Sequence, residues 1–410
     1  MDGVSKGVLY ISYDGMTDPL GQSQVIPYLR ELTKLGYKFT LLSVEKKDRL
    51  KKSGQQVGQI LADAGIEWET LPFTSRPPVF SKLYDQKRLN AKAVSLHKKK
   101  SFDLLHCRSY VATETGLRLS KRFNIPFLFD MRGFWVDERV DSGLWNLRNP
   151  LYRLFYKIYK KKEKKYFSQS AHIISLTQKG KEELMNVYNV AAEKISVIPC
   201  CADLSHFDYR KISNEKKQQV RDQLSINNNS KILTYLGSLG GWYMTGEMLD
   251  FFAVMKAKIP EAVFLLITHD SREQIISMAA SKGIAASDIR VQPASRDEVP
   301  LYLSVSDWSI FFIKNVYSKK ASSPTKQGEI MGMGIPLICN DIGDTGYIIK
   351  QTNSGILTNG FSNDNYNAIS DTLDKLSHIR SEDIRHGAGL FFDLKKGVEQ
   401  YLAAYKKVLS

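Results

Sequence analysis

Residues 321–340 read ASSPTKQGEIMGMGIPLICN, and the order loop, helix, loop, strand in that stretch decides the fold. Before it, residues 308–313 (WSIFFI) form a short apolar run of the kind that makes a buried parallel strand. A polar loop, KNVYSKKASSPTK, follows. Thr325 or Ser323 is expected to cap the next helix, with Pro324 near its first turn. Lys326 and Glu329 stand three apart, so they share a helix face. Gly334 stops the helix, and residues 336–339 restart a strand. The result is a β-loop-α-loop-β unit whose loop lies at the carboxyl end of a strand, where open α/β sheets take ligands. The helix N-terminus offers free N–H groups and a partial positive charge to a phosphate, and Lys326 adds a full one. Glu329, a turn further in, can accept hydrogen bonds from hydroxyl groups. A phosphate site beside a hydroxyl acceptor suits a sugar nucleotide.

The motif SSPTKQGEIMGMGIPLI resembles the donor-site signature of retaining GT-B glycosyltransferases of the family 4, or group 1, type. That group includes many bacterial capsule, lipopolysaccharide and exopolysaccharide enzymes. The signature runs Glu, seven residues, Glu, then small residues and Gly-x-Pro. The resemblance implies that Glu329, at the second glutamate, holds the nucleotide ribose. The first glutamate position falls on Ala321. It also implies an α/β, GT-B fold: two Rossmann-like doubly wound domains facing a cleft. The expected boundaries are 1–205 for an acceptor-binding domain, 206–390 for a nucleotide-sugar domain, and 391–410 for a helix returning to the first. No cofactor and no metal are expected, because helix N-termini and basic side chains stabilise the leaving diphosphate.

The 410 residues suffice for two full cores, and 43% hydrophobic with 25% charged residues is ordinary for a globular chain. Four cysteines form neither a disulfide framework nor a zinc spacing, which fits a reduced, cytoplasmic protein. The longest apolar runs fall short of a membrane span. A net charge of +15 points to an anionic partner without choosing among nucleic acid, membrane surface and phosphorylated substrate.

The chain opens with a strand over 8–12 (VLYIS), a loop over 13–24, a helix over 25–35 and a strand over 39–44. In the resembling family a glycine-rich loop after the first strand contacts substrate, and Gly21 with Gln22 is the nearest equivalent. The strand over 102–107 ends in Arg108, and that over 125–129 is followed by Asp130 and Arg132. The family often has a histidine near the donor sugar where Arg132 stands. Arginine cannot act as a base but can stabilise phosphate charge. Asp130 and Arg132 are therefore the candidates, with Glu329, for the reacting groups, and Arg108 for a substrate contact. His106 reads as a buried structural histidine.

Residues 150–168 (PLYRLFYKIYKKKEKKYFS) combine an apolar stripe, Leu151, Leu154, Phe155, Ile158 and Tyr159, with seven basic residues. Such a helix suits the surface of an anionic bilayer, and the acceptor would then be a lipid-linked sugar. In the second half, a strand over 232–236 leads into Gly237-Ser238-Leu239-Gly240-Gly241. The family's Arg and Lys that clamp the donor diphosphate fall here on Ser238 and Thr245. Asp344 lies in a further loop at a strand end, and residues 347–350 and 355–357 complete the sheet.

The resemblance implies transfer of a hexose-type sugar from a nucleotide sugar to a glycan or polyprenyl-linked acceptor, with Lys326 and the helix amides at Thr325 at the donor diphosphate. The substrate-binding set is Gly21, Gln22, Arg108, Ser238, Pro324, Thr325, Lys326, Glu329 and Asp344. A peripheral contact with the inner face of the membrane through 150–168 is expected, and nucleic acid is not. Two alternatives stay open: a non-enzymatic binder of anionic membrane or nucleic acid, and another GT-B enzyme such as a sugar-nucleotide epimerase.

Overall fold

The computed structural model describes residues 6–76 and 78–410. They form two compact units. The first takes the described residues up to Pro199 together with Lys320–Ser322 and Leu394–Ser410. The second takes Cys200–Lys319 and Ser323–Asp393.

The sheet of the first unit contains β1 (Lys6–Ser12), β2 (Tyr37–Glu45), β3 (Glu67–Pro72), β4 (Leu104–Arg108), β5 (Phe127–Asp130), β6 (His172–Ser175) and β7 (Ile195–Val197). Every pairing is parallel, in the order β3-β2-β1-β4-β5-β6-β7. The second sheet contains β8 (Ile232–Leu236), β9 (Val263–Ile267), β10 (Ile289–Gln292), β11 (Trp308–Phe311), β12 (Leu337–Asn340) and β13 (Gly355–Thr358). It is also parallel, in the order β10-β9-β8-β11-β12-β13. Strands β4, β5, β8, β9, β11 and β12 are buried along their whole length, as expected for strands covered on both faces by helices.

Both sheets reverse strand order once, between β1 and β4 in the first and between β8 and β11 in the second. Outside the carboxyl ends of the strands flanking such a reversal, a crevice opens for a ligand. The loops after β1 and β4 meet one reversal, and those after β8 and β11 meet the other. The long C-terminal helix, Leu394–Leu409, belongs to the first unit and buries Val398, Tyr401, Ala404 and Tyr405 there.

Three local expectations are corrected. Residues 347–350 form no strand; they lie in helix Thr345–Thr352, which buries Ile348 and Ile349 and ends on Asn353 in the left-handed region. A four-residue apolar run cannot by itself distinguish the two periods. The loop after β1 contains a short helix, Pro19–Gln24, before the expected one. Neither Thr325 nor Ser323 caps helix Thr325–Gly332: its cap is Pro324, and the Ser323 hydroxyl instead accepts from the Cys200 N–H at 3.2 Å. Among the described residues no helix is long and apolar enough to cross a membrane.

Candidate active site

The donor-side candidate is built at the β8/β11 reversal. Strand β8 ends in Gly237, whose φ of +107° belongs to glycine's range, and Gly240 and Gly241 also have positive φ. This loop is held from several directions. The Leu239 N–H donates to the Asp270 carboxylate, the Gly240 N–H to the Thr245 hydroxyl at 3.2 Å, and the Tyr235 hydroxyl to the Ser238 carbonyl. Thr245 thus braces the loop with its hydroxyl and brings no charge. Further on, Met244 N–H donates to the Phe312 carbonyl and Lys314 N–H to the Trp242 carbonyl, each at 2.9 Å, which ties the loop to the chain leaving β11.

Lys326 enters this frame from the first turn of helix Thr325–Gly332, all of which but Thr325 is buried. Its ammonium donates to the Tyr235 hydroxyl at 3.0 Å and lies 3.5 Å from the centroid of the Tyr243 ring. A methyl group on Gly237 would stand 3.1 Å from the same nitrogen, so the lysine fills the space that this glycine leaves. Among the described residues no carboxylate lies within ion-pair distance of it. Burial therefore pushes the Lys326 pKa well below the ordinary lysine value, with the Glu329 charge opposing weakly.

Glu329 lies one turn further along, also buried. Arg296 reaches one of its oxygens at 3.3 Å, and the Arg296 carbonyl in turn accepts from His206 Nε2 at 3.0 Å. Burial raises the Glu329 pKa, while Arg296, Lys326 and His206 pull it back. Ser238, Pro324, Thr325, Lys326 and Glu329 are thus gathered around one loop and one helix start. Asp344 lies apart from them, before helix Thr345–Thr352 at the end of β12. Sequence reading missed Arg296, His206, Tyr235 and Tyr243. The one available signal was a Trp242-Tyr243 pair in a loop that lacked its expected charges.

The second candidate lies at the β1/β4 reversal and the end of β5. Asp130 is buried beside two cations, Arg132 at 3.4 Å and Arg108 at 3.9 Å, and the His106 ring at 3.5 Å. The C-terminal helix completes the shell, with the Tyr401 hydroxyl donating to Asp130 at 3.2 Å and Tyr405 oxygen 2.6 Å from His106 Nδ1. Burial alone would raise the Asp130 pKa, but Arg132, His106 and Arg108 outweigh it and hold the carboxyl below the usual range. Asp130 is therefore an anion throughout ordinary pH and no general acid. Burial lowers the His106 pKa against the pull of Asp130, so its neutral form sits between Tyr405 and Asp130.

Arg108 links this cluster to the loop after β1 through Asp14 at 3.7 Å, while its Nε and Nη1 make no hydrogen bond within the described residues. That loop is fixed by the buried Glu45 carboxylate, which accepts from the Met16 and Thr17 N–H groups and from the Thr17 and Ser43 hydroxyls. Gly21 is packed so closely that a methyl group there would stand 2.4 Å from the Gly15 carbonyl oxygen. Its neighbour Gln22 turns back on the Thr17 carbonyl at 3.3 Å.

Helix Pro150–Gln169 divides the apolar stripe seen in the sequence. Tyr159 packs on Trp135 and Trp145, and Glu163 is buried beneath the Tyr110 and Tyr188 hydroxyls. Leu151, Leu154 and Ile158 face outward, 54%, 53% and 43% exposed, among the exposed Arg153, Lys157, Lys161, Lys164 and Lys165.

The Glycosyltransferase Family 4 model matches residues 23–206. The first half of the chain is thus similar to glycosyltransferase family 4. The chain is 20% identical over 264 residues to a D-inositol 3-phosphate glycosyltransferase of Jonesia denitrificans, covering 62% of this chain and 59% of that protein. It is 19% identical over 302 residues to the protein of the same name from Rhodococcus jostii, covering 71% and 63%. The chain thus spans about three fifths of the length of the curated relatives it matches. Among solved structures, a glycosyltransferase from Rickettsia africae superposes over all of both chains with a TM-score of 0.74 at 18% identity. HepE from Anabaena, crystallised with UDP and glucose, covers 98% of this chain and 99% of its own with a TM-score of 0.71 at 14% identity. At such identities the likeness is one of fold, and the fold is GT-B.

Proposed function

We propose that this chain transfers a hexose-type sugar from a nucleotide-diphosphate sugar to a glycan or polyprenyl-linked acceptor, with retention of anomeric configuration, in bacterial surface-polysaccharide synthesis. The observation that carries the reading is Lys326: a buried ammonium without a carboxylate partner, at a helix N-terminus beside a glycine loop, at a strand-order reversal. A diphosphate is the anion that such a place accepts. Glu329, one turn on, takes the ribose hydroxyls. Ser238, Pro324 and Thr325 contribute backbone contacts from the loop and the helix start, and Asp344 approaches from the next strand end. UDP in the HepE crystal is in keeping with such a donor.

The chemistry needs no enzyme nucleophile. The bond from the anomeric carbon to the diphosphate oxygen breaks, and Lys326 and the helix N–H groups stabilise the charge that develops on that oxygen. The acceptor hydroxyl bonds to the anomeric carbon on the same face and passes its proton to the departing phosphate oxygen. Asp130 and Arg132, with Arg108, serve the reacting sugar or the acceptor. Gly21 and Gln22 shape the loop after β1. The protein's contribution is position and field.

Calorimetry and thermal melts of wild type and Glu329→Ala with UDP-, GDP-, ADP- and CMP-sugars test the donor reading. One donor should stabilise the wild type by about 2.7 kcal/mol at a hundred times its Kd, and the variant should lose that effect. Indifference of the wild type to all four would sink it. Conversion of the donor sugar without any acceptor would favour an epimerase instead.

The outward face of helix Pro150–Gln169 supports a membrane-borne acceptor. Its outward Leu151, Leu154 and Ile158, ringed by lysines, fit the headgroup boundary of an anionic bilayer at the cytoplasmic face. Changing all three to Ser should abolish sedimentation with phosphatidylglycerol vesicles while leaving the melt nearly unchanged, since the side chains are exposed. Equal sedimentation of both proteins would remove the membrane contact from the proposal.

A further inference from the structure

We propose that Lys82 and Arg139, both set against the Trp135 ring, form a binding site for the phosphate group of a lipid. The proposal rests on the membrane reading above and names the chemical group recognised there. Trp135 and Arg139 stand four apart on helix Trp135–Asp141, so they share a face. The Arg139 guanidinium lies 4.7 Å from the Trp135 ring centroid. The Lys82 ammonium, from helix Pro78–Lys100, lies 5.9 Å from the same centroid. Two cations from separate helices thus meet on one indole.

An aromatic face attracts a cation without cancelling its charge. Among the described residues neither Lys82 nor Arg139 forms an ion pair, and Arg139 Nε is buried without a hydrogen bond. Glu138 acts on Arg139 only at longer range, against burial. Partial burial and then the Arg139 charge lower the Lys82 pKa. Like charges held together repel, and a buried N–H without a partner costs free energy. An anion shared by the two groups relieves both. Phosphate suits the pair, because two of its oxygens match the guanidinium fork while the ammonium acts as a point charge.

The surroundings favour a lipid as the bearer of that phosphate. Trp145 and Tyr159 pack on Trp135 at 5.9 and 5.4 Å, and the Trp145 backbone N–H donates to the Arg139 carbonyl at 2.8 Å. The indole N–H groups of Trp135 and Trp145 and the Tyr159 hydroxyl make no hydrogen bond among the described residues. Aromatic rings with unbonded polar tips suit the headgroup level of a bilayer. Leu144, next to Trp145, is 58% exposed, and Tyr159 follows the exposed Ile158 on its helix. Acyl chains would cover such side chains.

The test uses soluble ligands. Dihexanoyl phosphatidic acid, dihexanoylglycerol and inorganic phosphate are titrated calorimetrically, as monomers, into wild type, Lys82→Met, Arg139→Lys and Arg139→Met. Wild type should bind the phosphatidic acid about tenfold or more tighter than either other ligand. Lys82 is exposed, so Lys82→Met should melt as wild type does yet weaken the phosphatidic acid by roughly tenfold, the scale of one charge-assisted contact. Arg139→Lys should keep more affinity than Arg139→Met, which separates lost charge from lost packing. Equal binding by wild type and Lys82→Met would overturn the site. Inorganic phosphate bound as tightly as the phosphatidic acid would overturn the lipid as its source. The triple serine variant of helix Pro150–Gln169 should bind the soluble lipid as wild type does. Vesicle sedimentation tests that helix, so the membrane reading and this site fail separately.

Discussion

Lys326 is buried, and among the described residues no carboxylate lies within ion-pair distance of it. In the unfolded chain it keeps its proton up to about pH 10.4; in the fold, burial lowers that pKa. Between the folded and unfolded values the unfolded state binds more protons, so this residue makes stability rise with pH. Lys326→Met should therefore raise the melting temperature at pH 6 to 8, by the equivalent of about 1–4 kcal/mol, with a gain that shrinks as pH approaches 10. The same variant should lose its affinity for nucleoside diphosphate. Melts at three pH values check both the sign and the trend; destabilisation at every pH would show that the ammonium is satisfied in the fold. At this scale the sequence was half legible. Lys326 and Glu329 share a helix face by spacing alone. Their companions Tyr243 and Arg296 reach them from distant segments, and no local period announces such meetings.

Elements were legible where burial leaves a uniform signature. The parallel strands β4, β5, β8, β11 and β12 read as apolar runs because both of their faces are covered. The C-terminal helix Leu394–Leu409 lies in the first unit. Its chemical part was invisible, since Tyr401 and Tyr405 look like ordinary residues of an amphipathic face. In the fold they close the shell around Asp130 and His106. Tyr401→Phe removes one hydrogen bond to a buried carboxylate and should cost about 1.5–3 kcal/mol at neutral pH. Asp130 has a depressed folded pKa, so the stability it brings is present above its unfolded value and fades as pH falls toward the folded one. The unfolded value is common to both proteins, so the gap between Tyr401→Phe and wild type should persist down to about pH 4 and narrow only as pH falls further toward the depressed folded value. Denaturant titrations at pH 7 and pH 3.5 measure it, and a gap that widened in acid would refute the assignment of the bond to an ionised Asp130.

On the scale of the whole molecule, composition gave two cores and a charge of +15, and both are properties of the chain as a sum. It could not say which residues each core claims, because segments 320–322 and 394–410 join the first unit out of sequence order. The named partners of Asp130 (Arg108, Arg132, His106 and Tyr401) all lie in the first unit, and those of Glu329 and Lys326 all lie in the second. Changes with no shared partner add in free energy to within about 0.5 kcal/mol. Asp130→Asn removes the buried carboxylate that Arg108 and Arg132 share and should cost the first unit about 3–5 kcal/mol. The stabilisation conferred by UDP should nevertheless survive in full, whereas Glu329→Ala should abolish it with little effect on the first sheet. Hydrogen exchange assigns each loss to its own strands: faster exchange across β1 to β7 in Asp130→Asn, and a UDP-dependent slowing across β8 to β13 that persists there but disappears in Glu329→Ala. A double variant whose loss departs from the sum by more than about 1 kcal/mol would mean that the two clusters are coupled, and the donor and acceptor halves of the proposed site would then have to be treated as one.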